Sequence, residues 1–229
     1  MIARLTALLR RLETRTLVAL LFLVGLPWIF LEVADEVSEG ETSNLDRRLL
    51  LALRMPGDPA EPIGPRWVEE AMRDMTALGG FTVLTLLTVV AGLLLVFHER
   101  RREAVIFVGA VIAAQLSCDV LKVLYDRARP DLVSHGSYVY SQSFPSGHSA
   151  MAAAVFLILA TVTASVERAR RTKALIYGVA ISGVFAVGFS RVYLGVHWPT
   201  DVLGGWVLGA SWALIAWLIL ALTRPQPGR

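Results

Sequence analysis

Residues 145–164 read Pro-Ser-Gly-His-Ser-Ala-Met-Ala-Ala-Ala-Val-Phe-Leu-Ile-Leu-Ala-Thr-Val-Thr-Ala, a polar helix start followed by an uncharged apolar run from Ala150 to Ala164. Such a run, near the roughly 20 residues that cross a bilayer, reads as a membrane helix rather than as one stripe of a soluble one. Working outward, five similar blocks flank it: Leu17 to Val33, Leu78 to Phe97, Ala104 to Leu124, Ala174 to Phe189 and Val202 to Leu222. The 229-residue chain is 55% hydrophobic with a mean hydropathy of +0.58, and its apolar residues come in blocks instead of at a globular period. The sequence predicts an all-α, polytopic membrane helical bundle with about six transmembrane helices. It forms one domain over residues 1–229.

The net charge of +3 and pI near 9.3 do not call for a nucleic-acid partner, because the basic residues sit in alternate loops. Arg4, Arg10, Arg11 and Arg15 precede the first block, Arg100 to Arg102 the third, and Arg168, Arg170, Arg171 and Lys173 the fifth. The positive-inside rule assigns these loops, both termini and the Arg224 to Arg229 tail to the cytoplasm. The small size and short basic loops suit a bacterial inner membrane. No small-x-small site follows the first block, so it is expected as an uncleaved helix and not a secretory signal.

The acidic segment Ala34 to Met75 is then an outer loop. Within it Leu45 to Met55 mixes leucines with arginines as a short interfacial helix does. Pro56, Gly57, Pro59, Pro62, Gly64 and Pro65 break the chain before a second amphipathic piece, Arg66 to Met75. This loop caps the outer face, and a lateral entrance for lipid is the alternative reading. Three smaller features complete the pattern. Gly205 and Gly209 have the spacing for close helix approach, expected within the chain rather than between copies. Asp119, costly within a span, is expected to pair with Lys122 one turn on. The lone Cys118 excludes an intramolecular disulfide.

Three polar clusters interrupt the apolar background. Lys122-Val-Leu-Tyr-Asp-Arg-Ala-Arg129-Pro130 ends the third block, Pro145-Ser146-Gly147-His148 opens the fourth, and Ser190-Arg191-Val-Tyr-Leu-Gly-Val-His197-Trp-Pro-Thr-Asp201 joins the fifth to the sixth. Loop parity brings all three to the non-cytoplasmic face. The fourth helix's unpaired N–H groups and dipole favour an anion, and Gly147 lets a phosphate approach the backbone. Lys122, Arg129 and Arg191 can neutralise phosphoryl oxygens, with Ser146 completing the cradle. Pro199 suits a helix's first turn, which sets His197 and Asp201 on one side of it. A carboxylate bonded to one imidazole nitrogen directs the other nitrogen's lone pair outward, as a nucleophile needs. His197 is therefore the expected nucleophile. His148 is expected to protonate the leaving oxygen and then activate the water that hydrolyses a phosphohistidine.

These residues resemble the type 2 phosphatidic acid phosphatase family, whose motifs read Lys-x6-Arg-Pro, Pro-Ser-Gly-His and Ser-Arg-x5-His-x3-Asp. Every defining position is present between Lys122 and Asp201. The resemblance implies a helical core, no cofactor, and metal-independent hydrolysis of a phosphomonoester or pyrophosphate, with His197, His148 and Asp201 as the reacting set. The expected partner is a phosphorylated membrane lipid. An outward site suits undecaprenyl pyrophosphate, with phosphatidylglycerol phosphate, phosphatidic acid and diacylglycerol pyrophosphate as alternatives.

Competing readings fit less well. A metal hydrolase could use His148, His197 and Asp201, but three neighbouring cations would repel a divalent ion. Vanadate-dependent haloperoxidases share the anion site but are soluble. A lipid transporter or flippase has no need of the His197 and Asp201 pair. His98 and His135 read as ordinary loop histidines, and Tyr138, Tyr140 and Phe144 as interfacial aromatics.

Overall fold

The computed structural model describes residues 14–133, 135 and 141–223, with side chains described from residue 21 onward. Arg4, Arg10, Arg11, Tyr138, Tyr140 and the tail from Arg224 lie outside the described residues. Helix α1 (Thr14–Glu39) leads to α2 (Ser43–Leu51), a hairpin of β1 (Arg54–Met55) and β2 (Asp58–Pro62), and α3 (Arg66–Ala77). Then follow α4 (Phe81–Phe97), α5 (Arg101–Tyr125), α6 (Gly147–Val166), α7 (Arg170–Tyr193) and α8 (Pro199–Leu222).

Helices α5 to α8 are long and apolar enough to cross a membrane, and α3 with α4, bent by 45° at a short break, can make a fifth span. The six-span expectation thus meets four to five candidates. Helix α1 carries Glu32, Asp35, Glu36 and Glu39 toward its end and is not among them. The chain is mostly helical, as expected, with one small antiparallel hairpin in which Arg54 faces Pro62. Helix α2 stops at Leu51, short of the expected Met55. Pro56 cannot continue a helix, and Gly57, at φ +87°, supplies the left-handed turn that folds the chain back.

Helix α6 is the centre of the bundle, with Ala152, Ala154, Val155 and Ile158 buried in its core. It crosses α8 almost backbone to backbone. A Cβ on Gly205 would lie 2.6 Å from the Ser146 carbonyl oxygen, and one on Gly209 would collide with the Ala150 carbonyl. The glycine pair is used within the chain, between α6 and α8.

Two expectations change. Phe144 is fully buried, packed edge-on against Tyr125 and beside Phe30, not interfacial: the face it covers is the one α1 presents to α8. Asp119 is exposed and accepts both Gln115 amide bonds at 2.9 and 3.0 Å, whereas the Lys122 ammonium turns inward to the Gln142 carbonyl. Gln115 and Lys122, four before and three after Asp119, are both within a turn of it, and the Gln142 carbonyl draws the ammonium inward instead. Cys118 is buried and unpaired.

Connectivity also sorts the polar ends. The starts of α5 and α7 meet the ends of α6 and α8, where Arg100 reaches the Ser165 hydroxyl and Arg102 the Leu220 carbonyl, both at 3.0 Å. The three motif clusters gather at the opposite end of the bundle.

Candidate active site

The site is built where the end of α5, the start of α6, the end of α7 and the start of α8 come together. Its frame is backbone: the Ser146 N–H donates to the Asp201 carbonyl at 2.9 Å, tying the first turn of α6 to that of α8. Ser146 caps α6, its Oγ accepting the Ser149 N–H at 3.5 Å and the Ser149 hydroxyl at 3.0 Å. With its lone pairs so used, the Ser146 O–H remains a donor. The Ala150 N–H goes to the Ser146 carbonyl, which leaves the Gly147 and His148 N–H groups without a protein partner among the described residues. A Cβ on Gly147 would meet only ordinary contacts with Lys122 and Cys118, so no protein crowding demands glycine here, and a close-approaching anion would.

His197 lies just before α8 and is almost wholly buried. Its Nδ1 is 3.4 Å from Asp201 Oδ2 and 3.3 Å from the Ser143 hydroxyl, and its Nε2 is 3.2 Å from Arg129 Nη1. A guanidinium can only donate, so Nε2 must accept and the ring proton belongs on Nδ1, toward Asp201. Burial first, then the Arg191, Arg129 and Lys122 charges and His148, hold the imidazole well below the usual histidine range. The ring is therefore neutral, with a lone pair on the nitrogen that faces Arg129. His148, half-buried on the first turn of α6, is close enough for its charge to act on His197.

The cations are held at different strengths. Lys122 is anchored on the Gln142 carbonyl at 2.5 Å. Arg129 donates to the Ser141 carbonyl at 2.7 Å and the Val196 carbonyl at 2.6 Å; burial lowers its pKa from the ordinary value and Asp201 pulls it back. Among the described residues the Arg191 side chain, 2% exposed, has one bond, from Nη1 to the Thr76 hydroxyl at 2.9 Å, and its buried Nε has no partner. An unpaired buried guanidinium N–H is costly, and an acceptor arriving with a ligand would satisfy it.

Sequence reasoning passed over Arg127, Ser143, Asp46, Thr200 and Thr76. Arg127 donates from Nη1 to Asp201 Oδ1 at 2.5 Å and from Nη2 to Asp46 Oδ2 at 2.7 Å. Ser143 donates to Asp201 Oδ2 at 2.5 Å, and the Trp198 N–H reaches the same oxygen at 2.8 Å. The only available signal was Arg127's place inside the Lys122 to Pro130 stretch. Asp46 sits in a leucine and arginine helix that reads as wet on its polar side. His98 and His135 bond to the Leu94 and Pro130 carbonyls.

The charge balance is informative. Arg127 lies between two carboxylates, a net charge of −1, while Lys122, Arg129 and Arg191 contribute +3. The excess of two positive charges matches a phosphoryl group, which carries about −1.5 to −2 at neutral pH.

A bundle of membrane-length helices defines an integral membrane protein, and the buried histidine with its cations at one end is its candidate anion site. The family model of the PAP2 superfamily matches residues 103–224, and the chain belongs to that superfamily. It is 38% identical to phosphatidylglycerophosphatase B of Bacillus subtilis over 149 residues, which is 62% of this chain and 70% of that protein. It is 31% identical to an undecaprenyl-diphosphatase of Sulfolobus acidocaldarius over 54% of this chain and 57% of that one. The crystal structure of a transmembrane PAP2-type phosphatidylglycerolphosphate phosphatase from Bacillus subtilis superposes with a TM-score of 0.78 at 29% identity, covering 89% of this chain and 98% of the other.

Proposed function

We propose that this protein is a membrane lipid phosphate phosphatase that works through a phosphohistidine on His197 and needs no metal. The observation that carries the reading is His197 itself, neutral, with Nδ1 toward Asp201, Nε2 accepting from Arg129, and the Arg191 and Lys122 charges acting on the same ring. When a headgroup phosphate binds, Arg129 turns its donors from Nε2 to the phosphoryl oxygens, beside Lys122, Arg191 and the Gly147 and His148 N–H groups. The uncovered Nε2 attacks phosphorus as the bond to the leaving oxygen breaks, and His148 delivers a proton to that oxygen. Asp201 stabilises the charge gained by the ring. In the second half, His148 takes a proton from water, the water oxygen attacks phosphorus, and the P–N bond breaks to release inorganic phosphate. The cationic clamp stabilises the spread charge in both transition states.

The leaving group is a lipid alcohol for a phosphomonoester or a lipid monophosphate for a pyrophosphate. Similarity to phosphatidylglycerophosphatase B favours phosphatidylglycerol phosphate over undecaprenyl pyrophosphate, the substrate that an outward-facing site suggests on its own. The basic end, with Arg100 to Arg102 and Arg168 to Lys173, faces the cytoplasm of a bacterial inner membrane in this reading, and the site faces outward.

A phosphate-release panel over these lipids in detergent, run with wild type and His197→Ala, tests the proposal. Release from at least one lipid, lost in the variant, is expected. Equal release by both proteins overturns the mechanism, and release by neither favours a binding or transport role. Full activity after EDTA stripping is expected, and its loss with recovery on adding one divalent ion removes the metal-free step.

A further inference from the structure

Asp46 lies on α2, outside the motif segments, yet it is among the most deeply buried charges in the chain. Its Oδ1 accepts the Thr200 N–H at 3.0 Å, and its Oδ2 accepts the Thr200 hydroxyl at 2.6 Å and Arg127 Nη2 at 2.7 Å. Arg127 and Thr200 are 81 and 154 positions away in sequence. Burying a carboxylate so far from its partners is expensive unless each bond is made, and here they all converge on the first turn of α8.

The geometry gives Asp46 a task. A guanidinium facing a lone carboxylate takes both oxygens in a two-armed grip. Arg127 does not do this to Asp201. One arm goes to Asp201 Oδ1 at 2.5 Å and the other to Asp46. Asp201 Oδ2 is thereby left to the Ser143 hydroxyl, the Trp198 N–H and His197 Nδ1. Without Asp46 to hold the second arm, Arg127 would compete for Oδ2 and draw the carboxylate away from the imidazole.

We infer that Asp46 is a positioning residue for the hydrolysis: through Arg127 it keeps Asp201 turned toward His197, which makes the outer-loop helix α2 part of the machinery that sets the nucleophile's tautomer. The inference rests on the proposed role of His197 and adds a residue that the motif pattern does not contain.

The test compares wild type, Asp46→Asn, Asp201→Asn, the double variant and His197→Ala as full-length protein in detergent, with phosphatidylglycerol phosphate as substrate. Asp46→Asn is expected to lower kcat by about 10- to 100-fold with KM within about three-fold, the scale of a small misplacement at the reacting centre. In the Asp201→Asn background the same change should cost less than about three-fold, since residues acting as one unit are not additive. Wild-type kcat in Asp46→Asn, a loss confined to KM, or an equal loss in both backgrounds overturns the inference. If Asp46→Asn does not elute as a monodisperse protein, Arg127→Lys carries the same test, because an ammonium keeps the charge but cannot grip both carboxylates; the same kcat loss is expected and unchanged kcat overturns it. His197→Ala separates the two levels. An active His197→Ala removes the underlying mechanism, whereas an inactive one beside a fully active Asp46→Asn removes only the role of Asp46.

Discussion

The two ends of this bundle are made from the same helices and handle charge in opposite ways. At the end formed by the starts of α5 and α7, ion pairs are local and wet: Arg100 meets Glu103 three residues on, with both side chains 25% exposed. An open cavity of about 690 Å³ there is lined by groups such as Arg102, Lys173, Tyr177 and Trp217. At the other end Asp46, Asp201, His197 and Arg191 are buried, and their partners come from distant parts of the chain. Charges that water can solvate are replaceable one by one. Charges sealed from water depend on every member of the set.

Substitutions should expose this difference in graded steps. His197→Ala, at the sealed end, is expected to lower kcat by about 10⁴-fold or more, as loss of a nucleophile does, measured by phosphate release. Protonating the same ring should act likewise. Because its folded pKa lies below the unfolded value of about 6.5, His197 stays neutral as pH falls through that value. Its acid limb in kcat/KM, corrected for substrate ionisation by phosphorus NMR, should therefore fall below about pH 6.5. The same sign applies to stability: the unfolded chain takes the proton first, so the contribution is full above the unfolded pKa and is lost on acidification.

Arg191→Ala removes a buried donor that has no partner among the described residues, and should cost about 10²- to 10³-fold in kcat. Gly209→Val leaves the chemistry untouched but drives a side chain into the Ala150 backbone; a loss of about 1–3 kcal/mol or more, read as a lower melting temperature in detergent, is expected. Glu103→Gln, at the wet end, should cost less than about 1 kcal/mol and leave kcat unchanged. A large effect there would erase the contrast between the two ends.

What could be read from the sequence follows the same division. Membrane helices announce themselves through long apolar blocks, so α4 to α8 appear near their expected limits, and the motif spacing named the residues that converge. Turn chemistry was half legible: Pro56 and Gly57 signalled a break, but a hairpin of so few residues leaves no alternating pattern. Asp46 and Arg127 were hidden for a different reason. Their pairing depends on where α2 lands against α8, and a carboxylate bound for burial looks in sequence like one bound for water. Phe144 misled in the same way, since an aromatic near a span end suits both an interface and a core.

The close crossing of α6 and α8 has a last consequence. With Gly205 and Gly209 against the α6 backbone and the Ser146 N–H on the Asp201 carbonyl, the proposed phosphate cradle and the proposed nucleophile belong to one stiff body. Neither can be brought to the other by a hinge. In the proposed reaction, travel is thus left to the headgroup, which would come to a seat already formed, and to side-chain tips such as the Arg129 fork, which would step aside.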